Sequence, residues 1–455
     1  MVNPYSGQVV ADVSQAQRDD VEAAVQSALS AFRALRTWPS HARAGALRAI
    51  AAGLERRQEE IARCITAEAG KPIADARREV GRAVQTFGIA AEEAKRIPGE
   101  VLPLDLMPGT ESALGLTRRV PLGPILGITP FNFPLNLVAH KVAPSLAAGN
   151  PIVVKPAPQT PLTAFLLGEV IAETSLPAGS YQVVPCDNSL AERMVADERF
   201  KLVSFTGSAA VGWMLKGKCG KKRIVLELGG NAGVIVEPDA DVEQAAQRCA
   251  VGGYAYAGQT CISVQRIFVH EDVYDRFTER FVARVRALKA GDPSDETTVV
   301  GPLITEDAAK RVESWIQEAV GQGARVLTGG TRRGSVVDAT VLADVSPTMK
   351  VSCQEVFGPV VTLSSYKQFD DAVTALNDSE FGLQAGVFTR DVNRIFQAFQ
   401  TLEVGTVLAN EIPTWRADHM PYGGVKDSGL GREGVRYAIE EMTELKLLVL
   451  NLKKP

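Results

Sequence analysis

A thiol, a carboxylate and an amide stand in this 455-residue sequence where each is suited to carbonyl or acyl chemistry. Cys261 lies in the run GYAYAGQTCISV, residues 253–264, a glycine-containing turn between a helical segment and the apolar run Val264–Val269. A cysteine held on a loop between two packed elements is within reach of a small substrate, and its thiolate is a strong nucleophile. Glu227, in LELGG at the end of an apolar strand, sits among residues that desolvate a carboxylate and raise its pKa towards that of a general base. Asn132, in TPFNFP, offers a neutral amide donor on a proline-stiffened loop, suited to an oxyanion. Each taken alone also reads as a structural residue: a core thiol, a cap or a satisfied turn. Their combination points to chemistry.

A fourth element supplies a place for a cofactor. Residues 202–212, LVSFTGSAAVG, read as strand, glycine turn and helix start. The unpaired N–H groups of such a helix N-terminus, with the Ser208 hydroxyl, form an anion site fitted to a pyrophosphate. The run GLGREG, residues 429–434, matches a dinucleotide fingerprint by letter, but it follows YGGVKDS rather than a strand. Only residues 435–455 remain to complete a βαβ unit, so this run reads as a loop.

These groups need a scaffold, and the chain is long enough for two or three folding units. A hydrophobic fraction of 45%, a charged fraction of 22% and a net charge of -4 are those of an ordinary globular protein. They give no reason to expect a nucleic-acid or membrane partner. The N-terminal MVNPYSG carries no basic and apolar leader, and no eighteen-residue apolar stretch occurs, so a cytoplasmic protein is expected. The six cysteines include no CxxC pair and the four histidines are far apart, which argues against disulfides and against a metal site.

Helical spacing of apolar residues runs over 18–36, then from Leu47 to Ile65 as a second helix that Gly70 stops, then over 73–96 as a third. Residues 103–124 are punctuated by Pro and Gly with short β-prone pieces, as in a hairpin or arm. Short apolar runs at 125–128, 152–154, 181–184, 202–205 and 224–226 then alternate with helices at 161–174 and 209–219. The alternation restarts after Cys261, with strands at 265–269, 324–327, 360–366, 385–388 and 406–408. The pattern predicts an α/β protein with two doubly wound, mostly parallel sheets joined near residues 229–233. The C-terminal run 446–452 reads as an exposed edge strand in need of a partner.

The ordered motifs Pro130–Pro134, Val154–Pro156, Phe205–Ser208, Glu227–Gly230, Gly258–Cys261 and Glu355–Pro359 resemble those of the NAD(P)-dependent aldehyde dehydrogenases, over nearly the whole chain. The resemblance implies a Rossmann-like cofactor domain at 1–102 and 123–229, and a catalytic domain at 230–428. It also implies a small β oligomerisation arm at 103–122 and 429–455, serving a dimer or tetramer. It makes Cys261 the nucleophile and Glu227 the base, with Asn132 sharing the oxyanion with the Cys261 N–H. It assigns Lys155 to the adenosine ribose, Gly207 and Ser208 to the pyrophosphate, and Glu355 and Phe357 to the nicotinamide end. Thr129, Pro130, Phe131, Pro158, Val211, Leu228 and Gly229 complete the implied cofactor contacts.

The implied reaction is attack of the Cys261 thiolate on an aldehyde, hydride loss to the nicotinamide, and hydrolysis of the thioester by Glu227-activated water. Relatives that pass the acyl group to coenzyme A generally lack this glutamate, so a free acid is the expected product. An acylating enzyme and a non-catalytic cofactor-binding protein are the rival readings. Pro158 replaces the glutamate that many NAD-preferring relatives carry, so no carboxylate there repels a 2′-phosphate, and the choice between NAD and NADP stays open. Thr260 stands where some relatives that act on phosphorylated or phosphonate aldehydes carry arginine, which argues against such substrates. The runs NFPLNLVAHKVAP and DHMPYGG are similar to the lactaldehyde and phosphonoacetaldehyde branch, which implies a small polar aldehyde such as lactaldehyde or glyceraldehyde. Arg118, Arg416 and His419 are candidates for an anion contact.

Overall fold

The computed structural model describes residues 1–452. Four helices open the chain: α1 (Arg18–Leu35), α2 (Ser40–Arg56), α3 (Gln58–Ala69) and α4 (Ile73–Glu93). The single helix expected from Leu47 to Ile65 is two, because Arg57 leaves helical geometry at φ -101, ψ 18. Its guanidinium is tied to Glu60 and, across the chain, to Glu169, and a contact that distant leaves no local sequence signal. Strands β1 (Val101–Pro103) and β2 (Ala113–Pro121) follow as the expected hairpin-like arm.

The first doubly wound unit is β3 (Ile125–Ile128), α5 (Asn136–Ala148), β4 (Ile152–Lys155), α6 (Leu162–Ala172), β5 (Tyr181–Val183), α7 (Asn188–Ala196), β6 (Leu202–Thr206), α8 (Ala209–Lys218) and β7 (Arg223–Glu227). The apolar runs of β3, β4 and β6 are buried on both faces, as parallel strands between two helical layers must be. One layer centres on α2, α4 and α5, the other on α1, α7 and α8. Helix α5 escaped the sequence reading because all thirteen of its residues are buried, which erases the polar face that marks an amphipathic helix.

The second unit runs β8 (Gly233–Val236), α9 (Val242–Tyr254), β9 (Arg266–His270), α10 (Glu271–Arg286), α11 (Glu306–Gly321) and β10 (Arg325–Thr328). A small hairpin, β11 (Arg332–Arg333) with β12 (Val336–Val337), leads to β13 (Thr340–Ala343), α12 (Lys350–Cys353), β14 (Val360–Tyr366) and α13 (Phe369–Asn377). Then come β15 (Phe381–Gly382), β16 (Gln384–Phe388), α14 (Val392–Thr401), β17 (Thr406–Ala409), β18 (Val425–Lys426), β19 (Gly429–Leu430), α15 (Val435–Glu441) and β20 (Thr443–Asn451).

The first sheet has the order β19-β7-β6-β3-β4-β5, the second β10-β13-β14-β9-β8-β16-β17, and β1-β2-β20 form a third. Both large sheets are parallel apart from one antiparallel edge strand each, β19 and β10. In the first, the chain steps from β3 to β4 on one side and later to β6 on the other, so a ligand crevice opens beyond the C-terminal ends of β3 and β6.

Two expectations need correcting. Residues 429–434 are not simply a loop, and the arm does not begin at 429. Gly429 and Leu430 pair antiparallel with Glu227 and Leu226, while α15 packs on α4 and α5. Glycine is required at 429, because a Cβ there would lie 2.3 Å from the Leu226 carbonyl oxygen. The arm sheet itself comprises 101–103, 113–121 and 443–451, and residues 453–455 of the expected arm lie outside the described residues.

Candidate active site

Helix α9 ends at Ala255, and Tyr256 and Ala257 then take left-handed backbone, φ 49 and 52, which swings the chain into the Gln259–Ile262 turn. This turn sets Cys261 on the wall of a cavity of about 260 Å³ that Asn132, Glu227, Arg416 and Tyr422 also line. Three residues far apart in sequence, 132, 227 and 261, therefore share one chamber. Gly230 lets the strand end carrying Glu227 pass close beneath the turn, since a Cβ on it would lie 2.1 Å from the Cys261 carbonyl oxygen.

The Cys261 thiol is half-buried, with Sγ 3.0 Å from the Tyr422 hydroxyl. Burial pushes the thiol up to about 12, against the opposing pull of the Tyr422 hydrogen bond. Glu227 is buried, and neither carboxyl oxygen has a hydrogen-bond partner among the described residues. Burial, then the neighbouring Glu433, raise its pKa well above the usual carboxylate range, and Arg416 and Lys141 recover only part of this. The Asn132 amide donates one N–H to the Gln259 carbonyl at 3.0 Å, leaving its second N–H for a guest.

Beneath Glu227 lies a buried network that the sequence reading missed. Lys141 Nζ is 2.9 Å from Glu433 Oε1 and 2.6 Å from Thr206 Oγ1, and Arg416 reaches Glu433 Oε2 at 3.3 Å. Burial works to protonate Glu433, but the Lys141 ammonium and the Arg416 guanidinium outweigh it and hold its pKa low. His140 is pushed down by burial and by Arg416. Its neutral ring suits both contacts it makes: Nε2–H towards Asp418 Oδ1 at 2.9 Å, and Nδ1 accepting from Arg416 Nη2 at 3.3 Å. Asp418 also accepts from Arg82 at 2.6 and 3.1 Å. The sequence did carry a hint of this network, since the adjacent His140 and Lys141 interrupt an otherwise apolar run.

Of the three anion candidates, only Arg416 lines this cavity, together with Arg78, Arg82 and Arg248. His419 is exposed and is not among the lining residues. Arg118 lies on β2 in a separate cleft with Arg36, Arg43, Arg119 and Lys446, in which no carboxylate takes part.

Most of the expected cofactor residues follow the C-terminal ends of β3, β4, β6 and β7. Thr129 to Phe131 follow β3, and the Thr129 N–H bonds the carbonyl of Lys155, at the end of β4, at 3.2 Å. Burial lowers the Lys155 pKa. Gly207 turns from β6 into α8, its N–H bonded to the Glu227 carbonyl at 3.0 Å. Ser208 caps α8 with its hydroxyl free of any cap bond, beside the exposed side chain of Val211. Pro158 is exposed on the loop after β4, and Leu228 and Gly229 follow β7. Glu355 accepts from the Gly230 N–H at 2.8 Å, and burial brings its pKa up to about 7. Phe357, at φ 49, stacks edge-to-face on Phe131 with ring centres 5.9 Å apart. A positive helix end with a free hydroxyl, a buried cation and an exposed apolar face at a switch point fit the parts of a nicotinamide dinucleotide.

Comparison with known proteins agrees with this geometry. The family model described as "Aldehyde dehydrogenase family" matches residues 1–448. The 3-sulfolactaldehyde dehydrogenase of Priestia aryabhattai is 45% identical over 453 residues, 99% of this chain and 94% of that one. Aldehyde dehydrogenase 21 of Physcomitrella patens, solved with its reaction product succinate, superposes with a TM-score of 0.97 at 46% identity, covering 99% of this chain and 94% of that chain. The glyceraldehyde-3-phosphate dehydrogenase of Methanocaldococcus jannaschii, solved with NADP, gives a TM-score of 0.95 at 38% identity, covering 99% and 98%. Over nearly its whole length, then, this chain belongs to the aldehyde dehydrogenase family and oxidises an aldehyde with NAD(P)+.

Proposed function

We propose that the substrate is a short aldehyde bearing an anionic group, and that it is released as the free carboxylic acid. The observation that carries this reading is Arg416 on the wall of the cavity that holds Cys261, where Arg78, Arg82 and Arg248 also lie, each of the four paired with a carboxylate of the chain. Arg416 adds a buried Nε with no partner among the described residues, a donor suited to an anionic oxygen. The names of some relatives support it, since sulfolactaldehyde, succinate and glyceraldehyde 3-phosphate carry an anionic group, whereas lactaldehyde, which names others, does not.

In this reading Cys261 adds to the aldehyde carbon, and the resulting oxyanion is held by the free N–H of Asn132 and the Cys261 backbone N–H. Bound NAD(P)+ supplies the hydride acceptor. Cys261 then carries the acyl group as a thioester, and Glu227 takes a proton from the water that releases it. The isolated, desolvated Glu227 carboxyl is poised for that proton transfer and favours hydrolysis over transfer to coenzyme A.

Two finer readings accompany this. The arm sheet joins a second copy of the chain, supported by the half-exposed apolar residues Leu445, Leu447 and Val449 of the edge strand β20. The cationic cleft beside it, where Arg118 and Lys446 pair directly across β2 and β20, also calls for carboxylates from outside the chain. The six unpaired cysteines fit a reducing, cytoplasmic compartment, and no helix among the described residues is long and apolar enough to cross a membrane.

Steady-state rates without coenzyme A test the substrate class. Sulfolactaldehyde, succinic semialdehyde, lactaldehyde and propanal would each be measured with wild-type protein and with Arg416→Met. The anionic aldehydes are expected to lead propanal by at least about tenfold in kcat/KM, about 1.4 kcal/mol, and to lose that lead in the variant. Propanal turned over as well as the anionic aldehydes would refute the reading.

A further inference from the structure

A lysine outside the reacting groups ties together the two loops that the proposed oxyanion site needs. Lys71, in the turn between α3 and α4, is 1% exposed, as is its ion-pair partner Glu79 on α4. Burying an ammonium is costly, and an apolar side chain such as methionine would fill the same space without that cost. The contacts of the pair explain why a charge is placed there.

Glu79 Oε1 accepts from the N–H groups of Leu135 and Asn136 at 2.9 and 3.0 Å. Those are orphan donors at the start of α5, whose N-cap residue Leu135 has no side chain able to cap it. Glu79 thereby fixes the end of the Phe131–Pro134 loop that carries Asn132. The Lys71 ammonium lies 3.6 Å from the ring centre of Phe133 on that same loop. It also lies 4.5 Å from the ring centre of Tyr256, in the left-handed turn that leads to Cys261. The Tyr256 hydroxyl donates back to the Ala69 carbonyl at 2.9 Å, so the turn is anchored beside the lysine from two directions. The two loops then meet directly, through the Asn132 amide on the Gln259 carbonyl.

We propose that Lys71, acting with Glu79, is a positioning residue that sets the Asn132 amide and the Cys261 backbone N–H at the spacing an oxyanion requires. The proposal rests on the roles given to Asn132 and Cys261 above. A donor displaced from the oxyanion is felt in the transition state and not in binding, so the signature is a loss of rate with ground-state affinity intact.

The experiment is a double-mutant cycle on the pre-steady-state burst of reduced cofactor, with Lys71→Met, Asn132→Ala and the pair, accompanied by aldehyde KM and cofactor Kd. Lys71→Met is expected to slow the burst about 100-fold, the scale of one lost oxyanion donor, with KM and Kd within about twofold. In the Asn132→Ala background the same change should cost less than about threefold, because one of the two donors whose spacing it sets is gone. Equal losses in both backgrounds, or a raised KM at unchanged burst rate, would overturn the proposal, the latter pointing to direct substrate contact. If Asn132→Ala alone leaves the burst unchanged, the oxyanion reading itself fails and takes this one with it. Should Lys71→Met not fold, Glu79→Gln serves, since it keeps an acceptor for α5 while removing the charge. A slowed burst that is non-additive with Asn132→Ala is then expected, and additivity refutes.

Discussion

Replacing Tyr422 by Phe removes one hydroxyl and leaves the ring, with the Arg416 guanidinium still 3.6 Å above it. That hydroxyl, 3.0 Å from Cys261 Sγ, makes the hydrogen bond that favours the thiolate, while burial pushes the thiol up to about 12. A hydrogen bond to a charged group contributes about 1.5–3 kcal/mol. Its loss should therefore divide the thiolate population by about 10 to 100 at any pH below the pKa. The assay is the rate of Cys261 alkylation by iodoacetamide across pH 6–10, with the cofactor-reduction burst measured on the same preparations. Tyr422→Phe is expected to shift the alkylation profile to higher pH and to slow the burst by a similar factor. A profile that superimposes on the wild type, or moves to lower pH, would refute the idea that this contact sets the reactivity of the thiol.

Two further outcomes follow from the same chamber. Glu227→Gln should keep the burst but lower steady-state turnover by about 10²- to 10⁴-fold, the usual reach of a general base. Because burial and Glu433 raise the Glu227 pKa, its base form grows as pH rises, so wild-type turnover should climb from neutral to alkaline pH and the variant's should not. A variant profile that climbs like the wild type would refute this. On the exposed loop after β4, Pro158→Glu should lower kcat/KM with NADP by at least about tenfold and leave NAD within about threefold, through repulsion of the 2′-phosphate. An equal loss with both cofactors would show that the loop is distorted rather than recharged.

The sequence was legible where local pattern and tertiary role coincide. The short apolar strands β3, β4 and β6, buried on both faces, announced themselves as apolar runs and fall within a residue or two of their expected places. Cys261, Glu227 and Asn132, read from three separate motifs, line one cavity. The pattern failed where burial is complete or partners are remote. Helix α5 has no polar face, and Arg57, where α2 breaks from α3, is tied to Glu169, more than a hundred residues away. The same cause hid the charged floor of the chamber. His140, Lys141, Asp418 and Glu433 look like ordinary polar residues until the fold brings two distant segments together, and Arg118, equally plausible by type, points to a different cleft.

The antiparallel clasp of β19 on β7 means that this chamber is closed by a segment made long after the thiol. Arg416, Asp418, Tyr422 and Glu433 all lie more than 150 residues beyond Cys261. At about 5–20 residues per second, roughly ten to thirty seconds of synthesis separate the thiol from the tyrosine that favours its ionisation. Over that interval the growing polypeptide carries a cysteine without its activating hydroxyl and a Glu227 without its charged neighbours. Competence therefore arrives late, as one event, and a product cut short anywhere before Gly429 lacks the strand that holds the edge of Glu227 in place.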